Sequence, residues 1–180
     1  MATRKQTYQQ IEKRYRKECQ RNILAEPGPH EFIVVLDQLK PSFNVPKIIR
    51  SALAFGATEV QLVNIRMFDP GPAKGAFRKV PAKFPETFVG CYNDLTSRGY
   101  TCFLLEADGE ASLADVELPR KSAFVFGHEE FGPSFSREDF ADVRTLKIPQ
   151  FGAMESLNVS NAASIVMFEY VRQWGKEKQE

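Results

Sequence analysis

The stretch that decides the fold runs from Ile148 to Val171, IPQFGAMESLNVSNAASIVMFEYV. A strand expected to begin at Val143 ends at Pro149. A short turn follows, in which Gly152 supplies freedom of backbone angle. Ser156 stands where a helix cap is expected, with a hydroxyl that can accept from the free N–H groups of the next turn. The helix beyond it has small residues on one side (Ser160, Ala163, Ser164) and bulk on the other (Ile165, Phe168, Val171). The unit is therefore strand, turn, helix, and its turn gathers backbone donors, one hydroxyl (Ser156) and one amide (Asn158). Such a turn can merely end a strand and cap a helix, or it can hold a ligand.

The rest of the chain repeats the alternation. Glu31–Leu39, Glu59–Ile65, Tyr100–Ala107, Ser122–Gly127 and Val143–Pro149 are short apolar runs that predict strands. Asn44 is a good cap for a helix over Val45–Phe55, with Pro46 in its first turn and Gly56 as a left-handed stop. Glu86–Arg98 predicts another helix, closed by Gly99, and Ser136–Phe140 a helical turn. Continuous apolar strands between helices give an α/β fold, a parallel sheet flanked by helices on both faces. Ligands of such sheets sit beyond the carboxyl ends of the strands. Three loops with suitable chemistry leave those ends: Glu106 onward, Gly127–Gly132 and Ile148–Asn158.

At the amino end, Tyr8, Ile11, Tyr15, Cys19 and Ile23 recur at helical spacing over residues 5–24, until Glu26-Pro-Gly-Pro-His30 breaks the pattern. Residues 1–22 carry seven cations against Glu12 and Glu18, a local +5 that leaves −4 for the remainder of a chain whose net charge is +1. A basic arm on a mildly acidic body suits an anionic partner, or a plain solvated helix that docks on the body. The limits that follow are a basic extension over 1–28, one domain over 29–174 and a charged tail over 175–180. Met67–Pro85 reads as a long irregular loop with Lys74, Arg78, Lys79 and Lys83, and loops of that length are usually functional or disordered.

Composition bounds the class. With 180 residues, 43% apolar and 26% charged, the chain can build one ordinary core. No apolar run approaches the roughly 20 residues of a membrane span, and the polar start has no signal-peptide core. Three cysteines without C-x-x-C spacing and two distant histidines predict neither zinc site nor disulfides, so no metal and a cytoplasmic setting are expected. No G-x-G-x-x-G, P-loop or G-x-S-x-G is present, which argues against dinucleotide, nucleotide and hydrolase chemistry; a Ser156–His128 pair lacks its usual setting.

Three blocks change the reading. NVPKIIRSALAFGATEVQLVN (Asn44–Asn64), FVFGHEEFGPS (Phe124–Ser134) and IPQFGAMESLNVSNAASIVMFEYVRQ (Ile148–Gln173) resemble, in order and spacing, the three motifs of the SpoU/TrmH family of SPOUT RNA methyltransferases. The resemblance implies a sheet whose C-terminal segment is threaded as a deep trefoil knot, a pocket for S-adenosylmethionine in the knot loops, a homodimer, and methylation of a ribose 2′-hydroxyl in tRNA or rRNA. It assigns Asn44, Arg50, Glu129, Ser156 and Asn158 to the catalytic neighbourhood and Glu106, Gly127, Ile148 and Leu157 to the cofactor. The chain departs from the family pattern at Pro46, where Gly is usual, and at His128 and Glu130, where small or polar residues are usual.

These assignments suit the chemistry. Methyl transfer from a sulfonium needs an in-line hydroxyl, and positioning can supply up to roughly 7–11 kcal/mol. Arg50 stays protonated, so its expected part is to clamp the phosphate beside the target ribose and polarise the 2′-OH. Glu129 would orient Arg50 or Asn44, while Ser156 and Asn158 hold the ribose or the pocket wall. Lys74, Arg78, Lys79 and Lys83, with Arg14 and Lys17 of the basic arm, are the candidates for RNA phosphate contact. Each residue also has a plainer reading: surface cation, turn carboxylate, helix cap. A non-catalytic RNA-binding module, or a knotted enzyme acting on a base nitrogen, are the alternatives. A short basic extension resembles the tRNA-modifying members more, and Phe168, Val171 and Trp174 are candidate interface or core residues.

Overall fold

The computed structural model describes residues 4–175. Strand β1 (His30–Asp37) explains the architecture: Phe32 to Leu36 are all fully buried, which only a central strand with cover on both faces allows. Phe32, Val34 and Leu36 point to one side and Ile33 and Val35 to the other. Six more strands complete one sheet: β2 (Ala57–Val63), β3 (Ala82–Lys83), β4 (Thr101–Leu105), β5 (Ala111–Ser112), β6 (Ser122–Phe126) and β7 (Arg144–Lys147). Their order is β3-β2-β1-β6-β4-β7-β5 and every pairing is parallel. Val34 sits between Val60 on β2 and Phe124 on β6, which fixes the central register.

Helices α2 (Asn44–Ala54) and α4 (Val159–Trp174) cover one face with Ile48, Ile49, Ala52, Ala163, Val166, Met167 and Tyr170. Helix α3 (Phe88–Ser97) covers the other with Phe88, Cys91 and Leu95. The small side of α4 lies against α2, where Ser164 Oγ is 2.9 Å from Ser51 Oγ. Bulk is therefore turned outward, and Ile165 and Phe168 are 39% and 57% exposed. Gly56 (φ 69°) ends α2 and Gly99 (φ 81°) follows α3, both in the left-handed region the stops require.

Helix α1 (Arg4–Asn22) docks on the body rather than standing apart. Tyr15 stacks on Phe77 (5.9 Å) and meets Phe68 edge-on (5.3 Å). Asn22, 8% exposed, donates to the carbonyls of Phe77 and Val80 and accepts from the N–H of Ala82. Met67–Pro85 is largely irregular, as expected, but packed against the body. The segment is a clasp with a 3-10 turn (Gly71–Ala73), the edge strand β3, and Phe68, Ala76, Phe77 and Val80 in the core. Its apolar residues follow no helical or strand period, so burial was not legible.

Two caps also differ from expectation. The cap of α4 is Asn158, whose Oδ1 accepts from Ser160 N–H (2.9 Å) and Oγ–H (2.6 Å); Ser156 lies two residues outside, exposed. Asn44 is inside the first turn of α2 and makes no capping bond, because its amide is engaged elsewhere. Gly152 is not in the left-handed region. No helix among the described residues is long and apolar enough to cross a membrane. Of the charged tail, residues 176–180 lie outside the described residues.

Candidate functional site

The carboxyl ends of β1, β6, β4 and β7 lie side by side in the sheet. From β1 the chain runs outward to β2 and β3, whereas β6 and β4 lie on its other side, so a crevice opens at this reversal. Each expected loop leaves one of these ends: Glu106 after β4, Gly127–Gly132 after β6, and 148–158 after β7.

Between them is a cleft of about 170 Å³. Leu105, Phe126, Ile148, Leu157 and Ala162 make apolar walls; Glu106, Gly127, Gln150 and Ser156 supply the rest. A Cβ on Gly127 would come within 2.6 Å of the Gly132 carbonyl carbon and the Pro133 nitrogen, so only glycine fits the turn. The backbone of 148–157 makes no backbone–backbone hydrogen bond among the described residues. The cleft therefore presents apolar walls beside a run of unengaged N–H and C=O groups. Glu106 sits at its edge with Arg137 3.5 Å away; burial pushes its carboxyl upward, and Arg137 partly opposes that.

Beside the cleft, three distant residues form a hydrogen-bonded chain. Asn44 Nδ2 donates to Glu129 Oε1 (3.0 Å), and Asn158 Nδ2 donates to Asn44 Oδ1 (3.3 Å). Lys40 N–H donates to the second Glu129 oxygen (3.3 Å), and Lys40 Nζ to Glu130 (2.6 Å). Burial alone would raise the Glu129 carboxyl; donors from Asn44, its own backbone and Lys40 outweigh that and hold it below its ordinary range. Glu129 is thus a fixed carboxylate that fixes Asn44 in turn. The structure brings Asn44, Glu129 and Asn158 together, with Leu157 and Ser156 in the adjoining cleft wall. Arg50 is not bonded to any of them: it is exposed on α2, without a hydrogen-bond or ion-pair partner among the described residues, and Glu129 holds Asn44 instead. It is a guanidinium left available.

Asp37 escaped the sequence reading. It is fully buried at the end of β1, and its two oxygens accept from the N–H (2.6 Å) and Oγ–H (2.8 Å) of Ser134. Burial raises its carboxyl against those two bonds. It pins the far end of the turn that carries Glu129. An acid closing the otherwise apolar run EFIVVLD was the available signal.

The expected RNA-contacting cations are divided. Lys17, Lys74 and Lys79 are exposed. Arg14 pairs with Asp69 (3.1 Å), and Arg78 lies 3.9 Å from Glu18. Lys83 is committed to Asp94 (2.9 Å) and lies 3.5 Å from Glu59, so it is the least available of the six.

Comparison with known proteins bears on the family and the fold. Residues 31–168 match the model of the SpoU rRNA Methylase family. The 23S rRNA (guanosine-2′-O-)-methyltransferase RlmB of Xanthomonas axonopodis pv. citri is 31% identical over 146 residues, 78% of this chain and 58% of that one. The tRNA (guanosine(18)-2′-O)-methyltransferase of Thermus thermophilus is 30% identical over 79% of this chain and 75% of its own. The chain thus spans less than two thirds of the RlmB relatives it matches. A solved structure concerned with 2-OH methylation of C/U34 on tRNA superposes with a TM-score of 0.71 at 29% identity, over 83% of this chain and 99% of that one. The A. aeolicus TrmH/SpoU tRNA modifying enzyme, 22% identical, shares the fold with a TM-score of 0.73 over 93% of this chain and 85% of its own.

Proposed function

The chain belongs to the SpoU rRNA methylase family, and from that premise we propose that it transfers a methyl group from S-adenosylmethionine to a ribose 2′-hydroxyl of tRNA or rRNA. The observation that carries this reading is the Glu129–Asn44–Asn158 chain, assembled from three distant stretches beside the cleft. It rests further on relatives that are named for 2′-O-methylation of guanosine in rRNA and in tRNA.

The lining of the cleft suits the donor chemically. Apolar walls suit a purine, the unengaged backbone of 148–157 can satisfy its edge, and Glu106 can accept from ribose hydroxyls. Gly127, Ile148 and Leu157 are the contacts expected through backbone. When bound, S-adenosylmethionine supplies the methyl group and a sulfonium that leaves as a neutral thioether. This chain's part is positioning. Arg50, permanently charged and unengaged, holds the phosphate beside the target ribose and polarises the hydroxyl. Asn44 and Asn158, held by Glu129, line the ribose side with Ser156, and the released proton passes to a phosphate oxygen or water.

The same reading includes a knotted C-terminal segment, a cytoplasmic setting, a basic extension over 1–28 ahead of a methyltransferase domain over 29–174, and RNA contact by the exposed cations. It also includes a homodimer. Its support is the outward face of α4, where Phe168 (57% exposed) meets Phe55 (6.4 Å) beside Ile165.

Transfer of label from S-adenosylmethionine to total RNA, with location of the modified nucleotide, tests the proposal. A methyl group on a base, or RNA binding without transfer, overturns it. Arg50→Ala is expected to abolish transfer while leaving donor affinity, read by calorimetry, nearly intact; equal losses in both would remove Arg50 from this role.

A further inference from the structure

A second cavity, of about 690 Å³, opens between α1 and the carboxyl ends of β1 and β2. Its size lies within the ~300–1,000 Å³ typical of small-molecule sites. We propose that it receives an unpaired nucleotide of the RNA next to the methylated one, and holds its base. The proposal rests on the reading of RNA as substrate, but its binding test does not require methyl transfer.

The floor carries the first argument. Gln38 and Asn64 directly follow the adjacent strands β1 and β2, and both are left-handed, with φ of 55° and 52°. A Cβ disfavours that conformation, for Gln more than for Asn. Gln38 N–H donates to Val63 C=O (3.1 Å), which sets the two turns side by side. Both residues line the cavity, and neither side-chain amide has a hydrogen-bond partner among the described residues. An amide offers a donor and an acceptor together, the pattern on a base edge.

Aromatic faces carry the second. Tyr8 of α1, 58% exposed, lines one side. His128 lines the other and lies against Phe131, which is 81% exposed, with ring centroids 4.7 Å apart. His128 Nδ1 accepts from the N–H groups of Glu130 (3.1 Å) and Phe131 (3.3 Å), so the ring is held in place and its neutral form carries the proton on Nε2. Exposed rings stack on unpaired bases of any identity. His128 is also one of the positions at which this chain departs from the family pattern.

Charge and continuity complete it. Arg66, exposed and unpaired among the described residues, and Lys40, tied to Glu130, are the cations of the groove. The acid in its lining, Asp69, is neutralised by Arg14 at 3.1 Å. Lys40 N–H is bonded to Glu129, so the groove adjoins the Glu129–Asn44–Asn158 chain. A duplex would keep its base edges and faces from these groups, whereas an unpaired nucleotide brings both.

The test compares the parent protein with Gln38→Gly/Asn64→Gly, which removes both amides yet eases the left-handed backbone, and with Tyr8→Ala/Phe131→Ala, which trims exposed rings. The probe is a fluorescein-labelled, mixed-sequence, single-stranded RNA oligonucleotide, with its duplex as control, read by anisotropy. Each variant is expected to bind the single strand about tenfold more weakly, with unchanged thermal unfolding and unchanged calorimetric affinity for S-adenosylmethionine. Equal binding by parent and variants, or a parent that prefers the duplex, overturns the groove. Methyl transfer to total RNA is measured alongside. A parent that transfers while its variants bind undiminished leaves the enzymatic reading standing without the groove. A parent that never transfers, with variants weakened in binding, leaves the groove standing without that reading.

Discussion

Replacing Asn44 by alanine is expected to separate activity from stability. The side chain gives one hydrogen bond to a charged acceptor, Glu129 at 3.0 Å, and takes one from a neutral donor, Asn158 at 3.3 Å. Bonds of the first kind are worth about 1.5–3 kcal/mol and of the second about 0.5–1.5 kcal/mol when solvent is excluded. In the free protein this site is wet, since Glu129 and Asn158 are both exposed. The lost bonds are then largely replaced by water, and alanine is the better helix former by about 0.5 kcal/mol. Unfolding free energy should therefore move by less than about 1 kcal/mol. With RNA and donor bound, water is excluded and the full difference of about 2–4.5 kcal/mol is felt, a rate loss of roughly 30- to 2,000-fold. Single-turnover methyl transfer reads the second quantity and urea unfolding the first. A rate loss under about fivefold, or a rate that merely follows the folded fraction, would refute the reasoning. So would a fall in donor affinity as large as the fall in rate, because the Glu129–Asn44–Asn158 chain would then belong to the cleft rather than to the ribose.

Asn22→Leu leaves two carbonyls (Phe77, Val80) and the Ala82 N–H without their partner in a buried setting, so urea unfolding should show a loss of about 2–4 kcal/mol; a loss under 1 kcal/mol would mean that α1 is not clasped as described. Burial alone would raise the Asp94 carboxyl, but bonds from Lys83, Arg98 and Gln61 hold it below its ordinary 3.8. A depressed carboxyl stabilises fully above its unfolded value and loses that contribution as pH falls through the folded one. The stability gap between the parent and Asp94→Asn should accordingly be present at neutral pH and close in acid below 3.8; a gap that persists there would contradict the assignment. On the proposed homodimer through the outward face of α4, Phe168→Glu, a charge at a position 57% exposed, should convert a dimeric parent into a folded monomer in sedimentation, with the stability that association contributes lost in unfolding. A variant that remains dimeric would move the interface elsewhere.

The sheet was legible because burial on both faces demands unbroken apolar strands, and EFIVVLD and SAFVF are such runs. Gly56 and Gly99 were legible because a left-handed stop is a local steric matter. The three blocks around Asn44, Glu129 and Asn158 were legible as blocks. What each side chain does within them was not.

Ser156 and Asn158 are both good caps two residues apart, and local pattern cannot choose between them. The choice is made where the loop leaving β7 meets α4. Asn44 looks like a cap in isolation and becomes the middle of a hydrogen-bonded chain once Glu129 arrives from a turn 85 residues away. Strands β3 and β5 have two residues each, too few to show a period, and exist only because β2 and β7 offer an edge. The seat of α1 on Phe68 and Phe77, and the groove beside it, follow from contacts between stretches that share no sequence signal. Sequence by itself determined the period of the longer elements and hence the class of sheet. Tertiary structure alone decided which polar groups meet, because hydrogen bonds across the fold depend on positions in space that no local spacing encodes.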